Sequence, residues 1–526
     1  MGNRAAHLFA RARADGDKVA LIFEHERITF GQLAARVRAT AGGLSRVGVG
    51  QGTHVGVMIS SSPDFIIVQQ ALFALGAIVS PLNIFYRPGE VAHAARSCDL
   101  EYIVMPSELL ERVAVGPEAA IPSLRSVVLI NDGPSVQGER LVSLPDAIAA
   151  GPPIKALAPV ADDDVVVLLL TSATTGKSKG VMLTAANLAA NYDSTPGWLG
   201  LDRDAVILCA LPLYNTFGLN QCINAMLVTG ATMVLLPRFD ARGCIKAIAR
   251  HGCTFLPAVP TMLQKIIDHP DARVGALSSI SRIMTGGAPV PSALLSRVLG
   301  VVAAGAEVLT GYGLTEGTAL ATLMPVRLGA DGEVEHGRAI GRVLDGMTLG
   351  IMSDDGQLLE TGAVGEIVLR GPNVMRGYYH APDDTAEALA GGWLHSGDIG
   401  YVDADGFAYI VDRKKDVIIR GGQNIYPADI EEVLYQVKGV AEVAIIGAPD
   451  DVLGETPVAF VALQPGVDVS AEALIQHCRD HLAHYKIPTA IRLMGELPKG
   501  PTGKILRRVL RLSAGVFEIP NQGAGQ

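Results

Sequence analysis

The chain has 526 residues, of which 49% are hydrophobic and 18% are charged, and its formal net charge is −10. This length allows more than one domain with a large core, and this composition excludes a disordered chain. The acidic balance argues against a nucleic-acid partner, whose binding needs clustered Lys and Arg, although a local patch of donors can still bind an anionic nucleotide.

The cysteines and the first residues bear on where the protein works. The six cysteines are scattered without a CxxC pair, so we expect reduced, mostly buried thiols rather than a zinc site or a disulfide framework. The N-terminal stretch lacks the apolar segment of a signal peptide, and no apolar run approaches the ~20 residues of a membrane span. These features predict a cytoplasmic protein without a membrane span.

Strand and helix signals alternate along the first 320 residues or so. Strands are predicted over 55–62, 101–105, 126–132, 165–170, 205–214 and 231–237, and a helix is predicted over 64–77. Such alternation is typical of a mainly parallel sheet covered by helices. From about residue 337, short strands separated by glycines predict a small antiparallel, barrel-like part.

A more compact pattern follows residue 427. A helix over 428–436, two strands, a helix over 471–484 and a further strand are typical of a separate domain of about 100 residues. We therefore predict an α/β fold with a large N-terminal domain over 1–414, made of mainly parallel sheets with helices plus the barrel-like part. A small, mobile α+β C-terminal domain is predicted over 415–526.

The loop TSATTGKSKG, residues 171–180, directly follows the predicted strand VVVLLL. Its GKS resembles the end of a Walker loop, but that motif needs glycine at the position of Thr171. Its hydroxyls, its two lysines and the glycines Gly176 and Gly180 still suit an anion, because glycine lets backbone amides point inward. Taken alone, the loop is either a phosphate-binding loop or a solvated turn.

Four further motifs follow in order. They are RIMTGGAPV (282–290), LTGYGLTEGT (309–318), the stretch 393–427 that contains HSGDIG and DRKKDVIIRGGQNIYP, and LPKGPTGKILRR (497–508). Together with the loop, they resemble the adenylate-forming superfamily of acyl-CoA synthetases, firefly luciferase and peptide-synthetase adenylation domains, from about residue 7 to 508. The resemblance implies that ATP and an acid form an acyl adenylate and pyrophosphate, after which the small domain rotates and a thiol, usually of coenzyme A, takes the acyl group.

The resemblance also implies a nucleotide site. Pyrophosphate binding is assigned to Thr171, Ser172, Thr174, Thr175 and Lys179. The adenine slot is assigned to Gly286, Gly287, Ala288, Gly311, Tyr312 and Gly313, and the ribose contacts to Asp398 and Arg413. A carboxylate only accepts hydrogen bonds, which suits the two hydroxyls of a ribose.

The catalytic assignments come from the same motifs. Thr315 matches the hydroxyl at the α-phosphate, and Glu316 matches the carboxylate that binds Mg²⁺, a cation that prefers oxygen ligands. Lys504 matches the adenylation lysine, whose charge stabilises the transition state between two anions. Lys415 matches the hinge, and the pair Gly421-Gly422 matches the backbone that lines the path of the coenzyme A thiol arm.

The acyl pocket is expected around Tyr214, Asn215, Phe217 and Gly218. These residues stand in a mostly apolar segment without the Asp that amino-acid-activating relatives carry there, and without a cation for a second carboxylate. We therefore expect a hydrophobic monocarboxylic acid, aliphatic, aromatic or polycyclic. The glycines of the downstream motif, Gly311, Gly313 and Gly317, are expected to leave room for a bulky acid.

Several positions depart from the family pattern, and three of them lie where ATP and the acid are expected to meet: Ala173 replaces a glycine, Ser178 a proline and Asn215 a histidine. They motivate the alternative that the protein acts mainly in the thioester step, on a preformed acyl adenylate. Two further alternatives are an enzyme that loads a carrier-protein phosphopantetheine arm and a non-catalytic nucleotide-binding scaffold. The sequence leaves open whether the protein is a monomer or a homodimer.

Overall fold

The computed structural model describes residues 2–113, 121–131, 141–171, 178–272, 275–288, 290–464, 466–499 and 505–514. The chain divides into two compact units. The large unit holds residues up to 349 together with 369–395, and the small unit holds 350–368 together with the chain from 396 onward. Within the described ranges, no helix combines the length and apolarity needed to cross a membrane.

The large unit is rich in short strands, numbered here along the whole chain. They are β1 (Val19–Phe23), β2 (Glu26–Thr29), β3 (His54–Val57), β4 (Ile78–Pro81), β5 (Tyr102–Met105), β6 (Ser126–Leu129), β7 (Leu141–Ser143), β8 (Val165–Leu170), β9 (Gly180–Thr184), β10 (Val206–Cys209), β11 (Thr232–Leu235), β12 (Phe255–Ala258), β13 (Arg282–Gly286), β14 (Glu307–Gly313), β15 (Leu320–Pro325), β16 (Ala339–Val343) and β19 (Gly377–Tyr378).

Helices connect these strands. They are α1 (Ala6–Ala14), α2 (Phe30–Arg46), α3 (Pro63–Ala74), α4 (Pro88–Ser97), α5 (Leu144–Ala149), α6 (Ala185–Asn191), α7 (Thr195–Trp198), α8 (Thr216–Gly218), α9 (Ala225–Thr229), α10 (Ala241–His251), α11 (Pro260–Ile267), α12 (Ser292–Val301) and α13 (Pro382–Ala388). A π-helical stretch, Leu219–Asn224, joins α8 to α9.

Two sheets organise the large unit. The first runs in the order β16-β15-β14-β13-β12-β10-β11-β1-β2, and its strands from β14 to β1 are parallel. The second has eight strands in the order β19-β9-β8-β4-β3-β5-β6-β7, parallel from β8 to β7. The prediction of mainly parallel sheets is confirmed.

The local sequence explains these elements. In β8, Val166–Leu169 are buried on both faces, as expected for a strand inside a covered parallel sheet. Helix α10 begins where the Asp240 carboxylate accepts the Gly243 amide at 2.7 Å, and it ends at Gly252, whose φ of 61° suits a left-handed cap. Predicted strand 205–214 ends early, at Cys209, because Pro212 cannot donate to a sheet ladder.

The small unit contains mainly antiparallel strands. They are β17 (Thr348–Met352), β18 (Gly365–Arg370), β20 (Leu394–Val402), β21 (Ala408–Arg413), β22 (Ile418–Arg420), β23 (Gln423–Ile425), β24 (Val440–Asp450), β25 (Gly454–Leu463) and β26 (Ala490–Met494), with helices α14 (Pro427–Tyr435), α15 (Ala471–His481) and α16 (Arg507–Ala514). β20 pairs antiparallel with β21, and a five-stranded sheet runs β23-β22-β25-β24 with β26 beside β25. The α+β character predicted for the C-terminal part is confirmed, while the boundary near Lys415 stays a prediction.

All six cysteines are free and buried, as predicted from their scatter in the sequence. Burial raises the pKa of the Cys98, Cys244 and Cys253 thiols to about 12 and that of Cys478 to about 11. Since the thiolate is the reactive form, these thiols act as small apolar groups in the hydrophobic clusters where they are buried.

Candidate active site

Three segments of the large unit end at one edge of the first sheet. Val259 follows β12, Gly287 follows β13, and Tyr312 lies near the end of β14. These strands are parallel, so their carboxyl ends share an edge, which is where open α/β sheets bind ligands. A β-carbon placed on Gly287 would lie 4.0 Å from both Phe217 Cδ1 and Val259 Cγ1. The structure thus brings together the predicted acyl pocket and part of the adenine slot.

The segment after β10 turns sharply into helix α8. Gly218 is required there, because a β-carbon would lie 2.4 Å from the Pro212 carbonyl oxygen. Asn215 is the N-terminal cap residue of α8, but its side chain makes no cap hydrogen bond. Burial raises the pKa of the Tyr214 phenol, so this group stays a neutral donor. Phe217 is half-buried, consistent with a wall of an apolar pocket.

The glycines predicted to line the adenine slot allow the backbones of neighbouring strands to approach each other closely. Gly286 pairs with Gly311 in the β13–β14 register, and the side chain of Thr322 on β15 accepts the Tyr312 amide at 3.2 Å. A β-carbon on Gly311 would lie 2.4 Å from the Thr322 carbonyl oxygen. The expectation that these glycines leave room for a bulky acid is wrong for Gly311 and Gly313, because neighbouring backbone fills that space.

Gly313 gives a direct test of this packing. A β-carbon on Gly313 would lie 1.6 Å from the Ala319 carbonyl oxygen, so we expect Gly313→Ala to lower the free energy of unfolding by about 1–3 kcal/mol or more. The matched control is Gly300→Ala in α12, where nothing lies within 4 Å and alanine favours the helix by up to ~1 kcal/mol. Equal thermal unfolding midpoints for the two variants would contradict the packing argument.

The phosphate loop is described only at its ends. Ser172, Thr174 and Thr175 lie outside the described residues. The Thr171 amide donates to the Lys179 carbonyl oxygen at 3.1 Å, which closes the base of the loop. The Lys179 ammonium pairs with Asp384 at 2.5 Å and lies 5.0 Å from the centre of the Tyr378 ring. The lysine is therefore placed by residues that come some 200 positions later in the chain.

Glu316 and Thr315 lie on a 3₁₀ turn, Thr315–Gly317, directly after β14. The Tyr378 hydroxyl donates to Glu316 Oε1 at 2.9 Å. Within the described ranges, no three His, Cys, Asp or Glu side chains gather as a metal cluster. One carboxylate at a nucleotide site fits Mg²⁺, which is commonly bound by one or two carboxylates and substrate phosphates rather than by an all-protein cage.

The small unit holds the predicted ribose contacts on one hairpin. Asp398 on β20 and Arg413 on β21 are partners in the antiparallel register, and Arg413 Nε contacts Asp398 Oδ1 at 2.7 Å. The Asp398 side chain is 3% exposed, whereas that of Arg413 is 49% exposed. A buried carboxylate aligned by a charged partner is a well-ordered acceptor.

Removing the charge of Asp398 tests the ribose assignment. We expect Asp398→Asn to raise the KM for ATP roughly 10- to 100-fold, because a hydrogen bond to a charged group contributes about 1.5–3 kcal/mol. The control is Asp403→Asn, which alters the turn of the same hairpin, where Asp403 accepts the Phe407 amide at 2.9 Å. A KM for ATP that changes equally in both variants would assign Asp398 a structural role only.

The residues predicted for the hinge and for coenzyme A lie on neighbouring turns of the small unit. The Lys415 carbonyl oxygen accepts from Arg511 at 3.2 Å, and Arg511 also pairs with Asp416 at 2.6 Å. Gly421 and Gly422 form the two-residue turn between β22 and β23, with φ of 56° and 81°. A tight hairpin turn with two positive φ angles favours glycine at both positions. Lys504 lies outside the described residues.

The sequence motifs did not identify two residues that contact the predicted site. Tyr378 and Asp384 contact Glu316 and Lys179, respectively, yet they lie outside the motifs used for recognition. The signal available was the run RGYYH at 376–380, in which two tyrosines directly follow a glycine. Gly377 has a φ of 147°, and a β-carbon there would lie 2.6 Å from Thr385 Cγ2.

Comparison with known proteins shows similarity along nearly the whole chain. The family described as AMP-binding enzyme matches residues 8–379, and the AMP-binding enzyme C-terminal domain matches residues 429–504. A 7a-methyl-1,5-dioxo-octahydro-1H-inden-4-yl propanoyl:CoA ligase of Mycobacterium tuberculosis is 36% identical over 509 residues, 94% of this chain and 96% of that relative. A feruloyl-CoA synthase of Amycolatopsis is 34% identical over 95% of this chain and 97% of that relative.

A solved structure is also similar along nearly the whole chain. The ATP-bound MatB of Rhodopseudomonas palustris is similar with a TM-score of 0.88 and 29% identity, over 97% of this chain and 98% of that one. The fold and the site thus define an adenylate-forming enzyme. The chain belongs to the family of AMP-binding enzymes.

Its activity follows from this membership. The protein is an ATP-dependent, AMP-forming acid–CoA ligase that uses Mg²⁺. An acid and ATP give an acyl adenylate and pyrophosphate, and coenzyme A then takes the acyl group with release of AMP. The similarities give no support to a protein confined to the thioester step or to a non-catalytic scaffold.

Proposed function

We propose that the acid is a hydrophobic monocarboxylic acid with a bulky, cyclic acyl group. The observation that carries this proposal is the apolar space over Gly287, which lies between Phe217 and Val259. The segments 214–226 and 259–262 contain no Asp, Glu, Lys, Arg or His. A second carboxylate or an α-amine would therefore lose its hydration there without gaining a partner, which is costly.

The names of two relatives support the cyclic acyl group. One relative acts on a methyl-dioxo-octahydroindenyl propanoyl group and the other on a feruloyl group. Both groups carry the carboxyl carbon on a short chain attached to a ring system. A pocket lined by Phe217 and Val259 suits the apolar face of such a ring.

The predicted site residues explain the adenylation step. A carboxylate must approach an α-phosphate although both are anions, so the site has to neutralise charge and align the attack. We assign Lys179 and the hydroxyls of the phosphate loop to the pyrophosphate leaving group, Thr315 to the α-phosphate and Lys504 to the charge that develops between the two reactants. We assign Glu316 to Mg²⁺, which when bound would supply Lewis-acid stabilisation of phosphate charge.

We assign Asp398 and Arg413 to the ribose, and Gly286–Ala288 with Gly311–Gly313 to the adenine. The turn Gly421-Gly422 is assigned to the coenzyme A arm, and Lys415 to a hinge between domains 1–414 and 415–526. We place the enzyme in the cytoplasm, as a monomer or a homodimer.

Free coenzyme A is the proposed acceptor rather than a carrier protein, because both named relatives are CoA enzymes. The test compares thioester formation with free coenzyme A and with holo carrier protein at equal thiol concentration. We expect the coenzyme A rate to be higher, and a higher rate with the carrier protein would overturn this assignment.

The acid class is tested by reshaping the pocket. Val259→Phe adds volume beside Gly287, so we expect it to reduce kcat/KM for bicyclic and aromatic acids by roughly 10-fold or more, while short aliphatic acids lose less. The matched control is Val343→Phe, since Val343 is exposed at the end of β16. The readout is acid-dependent ATP–pyrophosphate exchange across aliphatic, aromatic, bicyclic, dicarboxylic and amino acids. A wild-type preference for dicarboxylic or amino acids would refute the proposal.

A further inference from the structure

A short segment between β18 and α13 clamps the turn that carries Glu316. This segment, Asn373–Tyr378, is called the strap below. The Met375 amide donates to the Glu316 carbonyl oxygen at 2.8 Å, and Asn373 Nδ2 donates to the Gly317 carbonyl oxygen at 3.0 Å. The Thr318 hydroxyl donates to the Asn373 carbonyl oxygen at 2.5 Å. Each of the residues 316–318 is thus bonded to the strap.

The clamped turn contains a strained residue. Thr318 has a φ of 70° and is fully buried. A β-branched residue in that region is an outlier, and such strain persists only where the surrounding structure holds it. The hydrogen bonds from Asn373 and Met375 supply that restraint, so the direction in which Glu316 leaves the backbone depends on the strap.

The other end of the strap is paired with the strand that leaves the phosphate loop. The Arg376 amide donates to the Met182 carbonyl oxygen at 3.0 Å, and Gly377 and Tyr378 pair with Met182 and Val181 of β9. The strap therefore connects the Glu316 turn to the strand that begins directly after Lys179 at Gly180.

Tyr378 is the strap residue that contacts both charged groups. Its hydroxyl donates to Glu316 Oε1 at 2.9 Å, and the centre of its ring lies 5.0 Å from the Lys179 ammonium. The hydroxyl is the donor in this bond, because a carboxylate oxygen only accepts.

We propose that Tyr378 is a positioning residue for the Mg²⁺ carboxylate. Its hydroxyl donates to Glu316 Oε1 and so orients the carboxylate that would bind the cation, while its ring lies beside the Lys179 ammonium. Partners that orient a metal ligand in this way are known to contribute strongly to metal affinity. This inference rests on the proposed role of Glu316.

The test is the Mg²⁺ dependence of ATP–pyrophosphate exchange in Tyr378→Phe. The ring is retained and only the hydroxyl is lost, so we expect the Mg²⁺ concentration for half-maximal rate to rise roughly 10-fold, with a smaller change in kcat at saturating Mg²⁺. Thioester formation from a synthetic acyl adenylate should stay within about 2-fold, because a step that lacks the triphosphate does not use this carboxylate.

The neighbouring tyrosine provides the matched control. Tyr379 also donates its hydroxyl to a carboxylate, that of Asp99, at 3.2 Å. Tyr379→Phe should therefore lose a comparable bond and leave the Mg²⁺ dependence at the wild-type value. Thermal unfolding of both variants shows whether either loses its fold, and a loss of stability alone would change the amount of active enzyme but not the half-maximal Mg²⁺ concentration.

Glu316→Gln separates this inference from the function on which it rests. If Glu316→Gln leaves the Mg²⁺ dependence unchanged, the proposed metal role of Glu316 is refuted. If Glu316→Gln shifts it and Tyr378→Phe does not, the positioning role of Tyr378 alone is overturned. In the double variant Tyr378→Phe/Glu316→Gln, we expect the loss of apparent Mg²⁺ binding free energy to be smaller than the sum of the two single losses. The reason is that both changes break the same hydrogen bond. Full additivity would also overturn the positioning role.

Discussion

Lys504→Ala is expected to abolish measurable adenylation while sparing most of the thioester step. We assign the lysine charge to the point where the acid carboxylate meets the α-phosphate, and removing one such stabilising group commonly lowers kcat by roughly 10²–10³. Once the acyl adenylate exists, that charge repulsion has been overcome, and the attack by the coenzyme A thiol has different electrostatic needs. The expected result is therefore a selective loss of the ATP-dependent reaction.

Two assays measure this separation. Acid-dependent ATP–pyrophosphate exchange reports the first step, and thioester formation from a synthetic acyl adenylate reports the second. The control is Lys499→Ala, five residues upstream, which breaks ion pairs to Glu442 at 2.6 Å and to Glu496 at 3.1 Å. Equal losses in both assays for Lys504→Ala would contradict its assignment to the adenylation step.

Glu316→Gln is expected to have the second largest effect. The change removes the negative charge that we propose to bind Mg²⁺ and keeps the size of the side chain. We expect kcat/KM for ATP to fall roughly 10²–10³-fold at ordinary Mg²⁺ concentrations, since the cation stabilises the phosphate charge in the transition state. Raising the Mg²⁺ concentration should recover part of this loss, which distinguishes a metal ligand from a structural residue.

The same strand offers the control for this variant. Glu307 lies at the start of β14 and pairs with Arg282 at 2.8 Å, whereas Glu316 follows the end of that strand. Glu307→Gln therefore removes a carboxylate from the same element without touching the carboxyl edge of the sheet. Rates that do not respond to added Mg²⁺ in Glu316→Gln would count against its metal role.

Much of the protein was predictable from the sequence because the relevant signals are local. The run Val165–Leu170 is apolar throughout and proves to be strand β8, with the bounds expected. The predicted helix over 64–77 proves to be Pro63–Ala74, a small change at the ends. Mainly parallel sheets and a separate α+β part follow from the order of such segments, since a parallel sheet needs a crossover between its strands.

The residues proposed to bear the chemistry were also within reach of sequence reasoning. Lys179, Glu316 and Asp398 stand in motifs whose order identifies the adenylate-forming superfamily. The sequence pattern specifies residue types at these positions, because phosphate, metal and ribose each need particular donors or acceptors. It also indicated that the acyl segment after β10 carries no charge.

Other features depend on residues that are distant in the chain. Tyr378 contacts Glu316 from 62 positions away, and Asp384 contacts Lys179 from 205 positions away. A hydrogen bond between such residues leaves no periodic pattern in either segment, so the two contacts were not predicted, although the run RGYYH at 376–380 marks the segment of Tyr378. The role of Gly311 likewise depends on a distant residue. It lacks a side chain because the backbone of the neighbouring strand β15 occupies that space, not because a substrate binds there.

The sequence by itself therefore determined the class of enzyme and the main run of strands and helices, and it led to the charged residues that we propose for the site. The tertiary structure alone decided how those residues are held, through the strap, its restraint of Thr318 and the placement of Lys179. The physical reason is that residue type is selected locally by chemistry, whereas orientation is set by packing and hydrogen bonds between segments that only the folded chain brings together.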